Sequence, residues 1–531
     1  MVIKSVARGC LILAVIIQGF GQVSSMPLKV SDKQEKKERE FRQIELPDTT
    51  LGRIMREWFA VIESGKEEEI KSFVNGRFSA NAFRFQQSAE QYVAFFRKLH
   101  EQSGGLEILQ VTPETGVQPI SIIAKSKRGE HFALIRAGLD NAEKGKLAGL
   151  GVDKTQSPDA PKLSAISTPL SEREMITAIK KDLDRRAAAG DLSGVVLIAK
   201  DDRILLEQAY GFADREAKIP NTTDTGFHLA SVGKMFTAVA VARLVKEGKL
   251  SYTDTIAKVL PDYPNKEVAE RVTIHHLLTH TAGFGTFFES PGFVKGKTYR
   301  NSTEEIAVYK DEKLFFEPGT RWRYSNAGYS LLGAIIERIS GKPYLQYIRE
   351  NIFKPLGMGQ TYTDSFGIIA SKTSVLYRQS PQDPLGLDPY LADKTLSRSQ
   401  ATGFGGGFST APDMFKFLRA YRTGKLLGAE TIQKMVNGKV NQDNKGARRY
   451  AYGITEFDSN GELVRGHSGG SRTDVEMLWN GGYTVIVLVN AVPPPVDAIS
   501  NDIINFATKQ KREDADYPVR APDDCKPGCF R

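Results

Sequence analysis

Cysteine is scarce: 531 residues hold three, Cys10, Cys525 and Cys529, all near the ends of the chain. A disulfide-built scaffold is thereby excluded, because such folds spread several bridges through a short sequence. Charge of one sign is also missing. The 72 basic and 63 acidic residues leave a net charge of +9. That excess suits contact with an anionic envelope or cell-wall polymer and is too diffuse for a nucleic-acid surface. Past the first residues, no apolar run is long enough to span a bilayer. No Gly-x-x-x-x-Gly-Lys segment is present to cradle a phosphate. What remains is a chain of ordinary globular composition, 40% hydrophobic and 25% charged, and too long for a single core.

The beginning reads as an export signal. Lys4 and Arg8 give the positive region, Cys10 to Ile17 the short apolar run, and Val23-Ser24-Ser25 the small residues that place cleavage after Ser25. An uncleaved anchor is the alternative. Cys10 opens the apolar run and does not follow it, so it is not placed for lipid attachment. The expected location is secreted or periplasmic, with no stable membrane span after cleavage. In the tail, Cys525 and Cys529 flank Pro527-Gly528. That spacing fits a small disulfide loop, two free thiols or two metal ligands, with no His or second Cys pair nearby to complete a metal site.

Pattern then divides the chain. Residues 1–25 are the signal and 26–45 a charged, flexible leader. Over 46–152, Leu51, Ile54, Met55, Trp58, Phe59 and Ile62 recur at helical intervals until Ser64-Gly65. Two further helical stretches carry Ile70, Phe73 and Val74, then Tyr92, Phe95 and Leu99. Strand-like runs follow at 106–112, 120–124, 131–137 and 146–152, which makes a small α+β accessory domain. Residues 153–172 are polar and Pro-rich, a linker. Over 173–510 a helix (175–189) and strands (194–200, 204–211) open the domain. Strands 464–467, 473–480 and 483–490 and a helix near 497–508 close it. Strands from both ends around a helical middle predict an α+β fold: an antiparallel sheet sandwiched by helices, with a mostly helical second lobe. Residues 511–531 are a tail.

Three short motifs carry chemistry. Ser231-Val232-Gly233-Lys234 opens an apolar helix, so Ser231 and Lys234 project on one face. A neutral lysine there could take the hydroxyl proton, provided desolvation lowers its pKa. A capping serine and a surface lysine give the same spacing. Tyr324-Ser325-Asn326 offers a phenol to relay a proton and an amide to bind a substrate. The Tyr-x-Asn pattern also occurs at Tyr263 and Tyr299, both read as loop residues. Only Tyr324 follows a Pro-Gly turn and leads into a helix. His467-Ser468-Gly469-Gly470 ends a strand, where a free N–H at Gly470 could join that of Ser231 in binding an oxyanion. His467 itself could assist proton transfer or orient a substrate carboxylate. His276 and His280, four apart, lack the acidic partner of a helical zinc motif, and Thr281-Ala282-Gly283 ends the helix there. Gly403 to Gly407 reads as a flexible loop near the site.

Together and in this order, the three motifs resemble the serine β-lactamase and D,D-peptidase superfamily, closest to its class C β-lactamase, D-aminopeptidase and esterase branch. Three further stretches are similar to family landmarks: Thr273 to Gly283, Ile352 to Met358 and Gly405 to Asp413. The resemblance implies acylation of Ser231, with Lys234 and Tyr324 sharing base and acid roles. It also implies substrate contact by Asn326 and an oxyanion site completed by Gly470. Substrate binding then falls to Asn326, His467, Ser468, Gly469 and Gly470. No metal or organic cofactor is implied, and the partner is a small-molecule or peptide acyl substrate. Class C enzymes carry Lys-Thr-Gly where this chain has His-Ser-Gly. The fixed charge that would grip an antibiotic carboxylate is missing, which favours a peptidase, amidase or esterase over an efficient β-lactamase. A non-catalytic envelope binding protein on the same fold is the rival. In its element order, the first domain resembles the nuclear transport factor 2 fold.

Overall fold

The computed structural model describes residues 45–510, apart from 81, 83–87, 114–119, 141, 291, 295–296, 298, 300, 363–371, 381, 389, 394–400, 443–445, 471 and 493–495. The expected signal (1–25), nearly all of the leader (26–45), the tail (511–531) and all three cysteines lie outside the described residues. The chain forms two compact units. One takes the residues up to Pro161 together with Tyr377–Ala392. The other takes Lys162–Leu376 and everything from Asp393.

The first unit packs three helices, α1 (Thr50–Ser64), α2 (Glu67–Arg77) and α3 (Ala89–Ser103), with an antiparallel sheet of four strands in sequential order. The strands are β1 (Leu106–Thr112), β2 (Ile120–Ser126), β3 (Phe132–Leu139) and β4 (Leu147–Thr155). Thr49 caps α1 by accepting from the Gly52 N–H, and Ser88 forms a reciprocal cap with Gln91 on α3. The apolar stripe of α1 (Leu51, Ile54, Met55, Trp58 and Ile62) is buried, with Trp58 edge-on to Phe96. Alternate residues of β2 (Ile120, Ile122 and Ala124) face the same core. Leu385, from the segment inserted out of the later sequence, is fully buried in that core. Gln102 donates to Asp383 at 2.6 Å and accepts from the Leu385 N–H at 3.2 Å.

The second unit is built on eight antiparallel strands. They are β5 (Gly194–Lys200), β6 (Arg203–Tyr210), β7 (Val440–Asn441), β8 (Arg448–Tyr450), β9 (Thr455–Ser459), β10 (Glu462–Gly469), β11 (Thr473–Leu478) and β12 (Tyr483–Val489). Their spatial order is β7-β8-β9-β10-β11-β12-β5-β6, so the two ends of the sequence meet at the β12–β5 pair. Burial on both faces explains why these strands read as continuous apolar runs. Val195, Leu197 and Ala199 of β5 face the large core with Ile486 and Leu488 of β12. Val196 and Ile198, with Val485 and Val487, face the other way. That second face is covered by α4 (Glu172–Ala188) and the last helix, α10 (Val496–Gln510). The large core holds the helical lobe: α5 (Gly233–Lys246), α6 (Ile274–Leu278), α7 (Ser302–Tyr309), α8 (Asn326–Ser340) and α9 (Ala411–Thr423). The fold is therefore the α+β sandwich with a helical lobe that the sequence pattern predicts. Among the described residues, no helix is long and apolar enough to cross a membrane.

Candidate active site

Ser231 sits in a single 3₁₀ turn, Ala230–Val232, that runs directly into α5. Ala230 holds φ +46°, a left-handed conformation that costs a residue with a Cβ about 1–2 kcal/mol. Such strain persists only where the surroundings fix it. Here the Gly406 N–H donates to the Ala230 carbonyl at 3.0 Å. The neighbouring Gly405 lies so close that a Cβ there would stand 2.2 Å from the same oxygen. The 403–407 loop, expected to be flexible, is thus a packed brace for the Ser231 turn, and close backbone approach is what its glycines serve.

Lys234, the second residue of α5 and one turn beyond Ser231, is fully buried. Its Nζ lies 3.1 Å from Ser231 Oγ, 2.8 Å from Asn326 Oδ1 and 2.5 Å from the Phe404 carbonyl oxygen. It also stands 4.8 Å from the centre of the Tyr324 ring. Burial holds its amine well below the ordinary lysine value. A neutral amine has two N–H donors and one lone pair. The amide oxygen and the carbonyl can only accept, so they consume both donors. The lone pair is left for the Ser231 hydroxyl. The arrangement therefore has the polarity a base needs, with Ser231 donating to Lys234.

Tyr324 hydrogen-bonds Ser231, and burial raises its phenol above the ordinary value despite that bond. It remains a proton carrier. Asn326 opens α8, whose first turn is capped by Ser325 accepting from the Gly328 N–H at 3.0 Å. Its Oδ1 is taken by Lys234, and its Nδ2 points to Thr286 Oγ1 at 3.4 Å. Asn326 thus grips the lysine, a contact the resemblance did not imply. The other two Tyr-x-Asn segments are structural. Asn265 and Asn301 cap helices by accepting from the N–H groups of Val268 and Glu304.

The third motif closes the other side. At the end of β10, a Cβ on Gly469 would stand 2.3 Å from the Leu229 carbonyl oxygen and 3.2 Å from Ser231 N. The strand end therefore runs against the nucleophile's turn. Pairing stops at Gly469–Thr473, and Gly470 follows at φ +54°. His467 is buried, its Nδ1 2.7 Å from the Ser468 carbonyl and its Nε2 3.0 Å from the Tyr450 hydroxyl. The carbonyl only accepts, so Nδ1 carries the proton and Nε2 receives the phenol's. Burial pushes this imidazole down to about 3. Both nitrogens are engaged and the ring is neutral. The expectation that His467 relays protons or holds a carboxylate gives way to a scaffolding position.

One residue that the sequence pattern raised only as a rejected metal ligand turns out to line the site. His280 lies past the end of α6 at φ +61°, fully buried among the rings of Tyr324, Tyr329 and Tyr450, at 4.4 to 5.0 Å between centroids. Its Nδ1 accepts from the Ser325 N–H at 3.1 Å, which ties the turn after α6 to the start of α8. His276 stays on α6 and accepts from the Thr273 N–H, so the two histidines share no helical face. Spacing singled out His280 only as a neighbour of His276 and gave no sign of this position. Its positive φ and its three tyrosine neighbours come from distant segments.

Residues 178–509 match the Beta-lactamase family. PbpX of Bacillus subtilis (strain 168), named for penicillin binding, is 32% identical over 251 residues, covering 46% of this chain and 58% of PbpX. The match thus spans little more than half of that relative. The solved penicillin binding protein from Bacillus halodurans is 27% identical over 61% of this chain and 97% of its own, with a TM-score of 0.52. The D-amino acid amidase from Ochrobactrum anthropi SV3 shares the fold at 24% identity and a TM-score of 0.54, over 63% of this chain and 98% of its own. The chain belongs to the Beta-lactamase family.

Proposed function

We propose that this protein is an exported serine hydrolase that cleaves an amide or ester through an acyl-Ser231 intermediate, acting as a peptidase, amidase or esterase more than as a β-lactamase. The observation that carries this reading is the placement of buried Lys234, whose Nζ lies within hydrogen-bond reach of Ser231 Oγ, Asn326 Oδ1 and the Phe404 carbonyl while burial holds its amine below the ordinary value. In the first step the Ser231 proton passes to Lys234 Nζ as Oγ attacks the scissile carbonyl carbon. The N–H groups of Ser231 and Gly470 receive the oxyanion. The Tyr324 hydroxyl protonates the departing nitrogen or oxygen, and the Lys234 ammonium restores the phenol. Water then enters along the same path in reverse and releases the acid.

The choice against a β-lactamase rests on His467. A neutral imidazole with both nitrogens engaged supplies no fixed charge for an antibiotic carboxylate. The test is intact-mass spectrometry after exposure to a fluorophosphonate and, separately, to a penicillin, beside Ser231→Ala. A fluorophosphonate adduct that disappears in the variant is expected, with slow release of any penicilloyl adduct. Absence of any adduct would move the assignment to a binding protein. Export is read from the same spectrum: a mature chain should begin at Met26.

A further inference from the structure

The rim beside the lysine is aromatic, and part of it stands in water. Phe404, whose carbonyl accepts from Lys234, has its ring 5.9 Å from Nζ. Phe287 packs on it at 5.2 Å between centroids, and Phe288 meets it edge-on at 5.9 Å. These two residues directly follow Thr286, the partner of Asn326. Phe287 is buried, whereas Phe288 is 43% exposed and Phe315, stacked under the Arg323 guanidinium and against Gly285, is 52% exposed. A phenyl ring carries about 150–250 Å² of surface, so leaving such rings half-wetted beside a nucleophile is costly unless something covers them. Packing onto Phe287 holds Phe288 in place, which keeps the exposed face preorganised.

We propose that Phe288 and Phe404 form an acyl-side wall that selects substrates with an aryl group next to the scissile carbonyl. This inference rests on the serine-hydrolase reading. The leaving atom departs beside the Tyr324 hydroxyl that protonates it. The wall adjoins Thr286, which accepts from the Asn326 amide, and is assigned to the acyl part. Apolar contact of this kind is worth about 10–200-fold in specificity.

The test compares p-nitrophenyl phenylacetate with p-nitrophenyl acetate, which share a leaving group. Wild type should prefer the phenylacetate by at least about tenfold in kcat/KM. Phe288→Ala should lose about tenfold on the phenylacetate and stay within about twofold on the acetate. Phe288→Leu, which keeps an apolar side chain, should fall between the two. Equal loss on both esters, or none, would overturn the wall while leaving the hydrolase reading intact. Binding of benzylboronic and methylboronic acids to the full chain separates the remaining case. Preference for the benzyl compound that depends on Phe288, without ester hydrolysis, would keep the wall and remove the hydrolase. No binding of either boronate and no hydrolysis would remove both.

Discussion

The two units pair their surface charges alike and differ in the ionisable groups they bury. In the first, ionisable groups stay at the surface and pair, as Lys66 does with Glu69 and Lys71 with Glu67 and Glu68. Its buried carboxylates, Asp140 and Asp383, are supplied with donors: for Asp140, the Ser79 hydroxyl at 2.8 Å and the Ala142 and Glu143 N–H groups at 2.7 and 3.0 Å, and for Asp383, Gln102, Gln379 and the Leu387 and Asp388 N–H groups. The second unit buries Lys234 with no carboxylate beside it. It buries His280 and His467 near that lysine, and Glu305 on α7 as well. Surface pairs contribute little stability, and buried lone ionisable groups cost it. A fold that keeps such groups is holding them for chemistry, which is how perturbed titrations mark functional sites.

That contrast can be broken most sharply at Lys234. Lys234→Met should lower kcat by at least about 10³-fold with the fold retained by circular dichroism, since a positioned base contributes about 10²–10⁴. In the wild type, kcat/KM should rise with pH as the amine loses its proton, along a limb well below the ordinary 10.5. Stability follows the same group. Between its lowered value and 10.5 the unfolded chain binds a proton that the folded chain does not, so this contribution grows as pH rises. Denaturation midpoints across that window should lose this slope in Lys234→Met.

Glu305 sharpens the comparison with the opposite sign. Burial pushes its carboxyl up to about 8, against an ordinary 4.5, and it accepts from Ser330 Oγ at 2.5 Å. Between those values the folded state holds the extra proton, so stability from this group is lost as pH rises from about 4.5 through 8. Glu305→Gln should therefore denature later than wild type at pH 8 and show no such advantage at pH 4.5. A smaller gain, about 1 kcal/mol, is expected for Ala230→Gly, which relieves the left-handed strain; thermal unfolding reads it directly. At the bottom of the scale, Lys71→Ala in the first unit should shift stability by less than about 0.5 kcal/mol and leave turnover unchanged.

What was legible in the sequence was what chemistry writes locally. The stripe Leu51 to Ile62 and the run Leu106 to Thr112 are set by periods of 3.6 and 2, and both appear as a helix and a strand. Ser231 and Lys234 could be paired because one helical turn joins them. Asn326 was visible as a residue and opaque as a role, because its oxygen is claimed by a lysine 92 positions away. His467 looked reactive until Tyr450, from another strand, occupied its second nitrogen. The roles of His280 and Phe404 were opaque for the same reason: they lie in contacts between segments that no short window contains.

The excursion of residues 377–392 into the first unit bears on synthesis and inheritance. A ribosome finishes the helices and strands of that unit early, yet Leu385 emerges only after most of the second unit has been made. The first unit must therefore wait, with an unfilled position in its core, until the second is well under way. Recombination at the 161–162 boundary would give each product a defect, one missing a core leucine and the other displaying it to water. The two halves are thus expected to travel through evolution as one gene segment and to mature together as one folding unit.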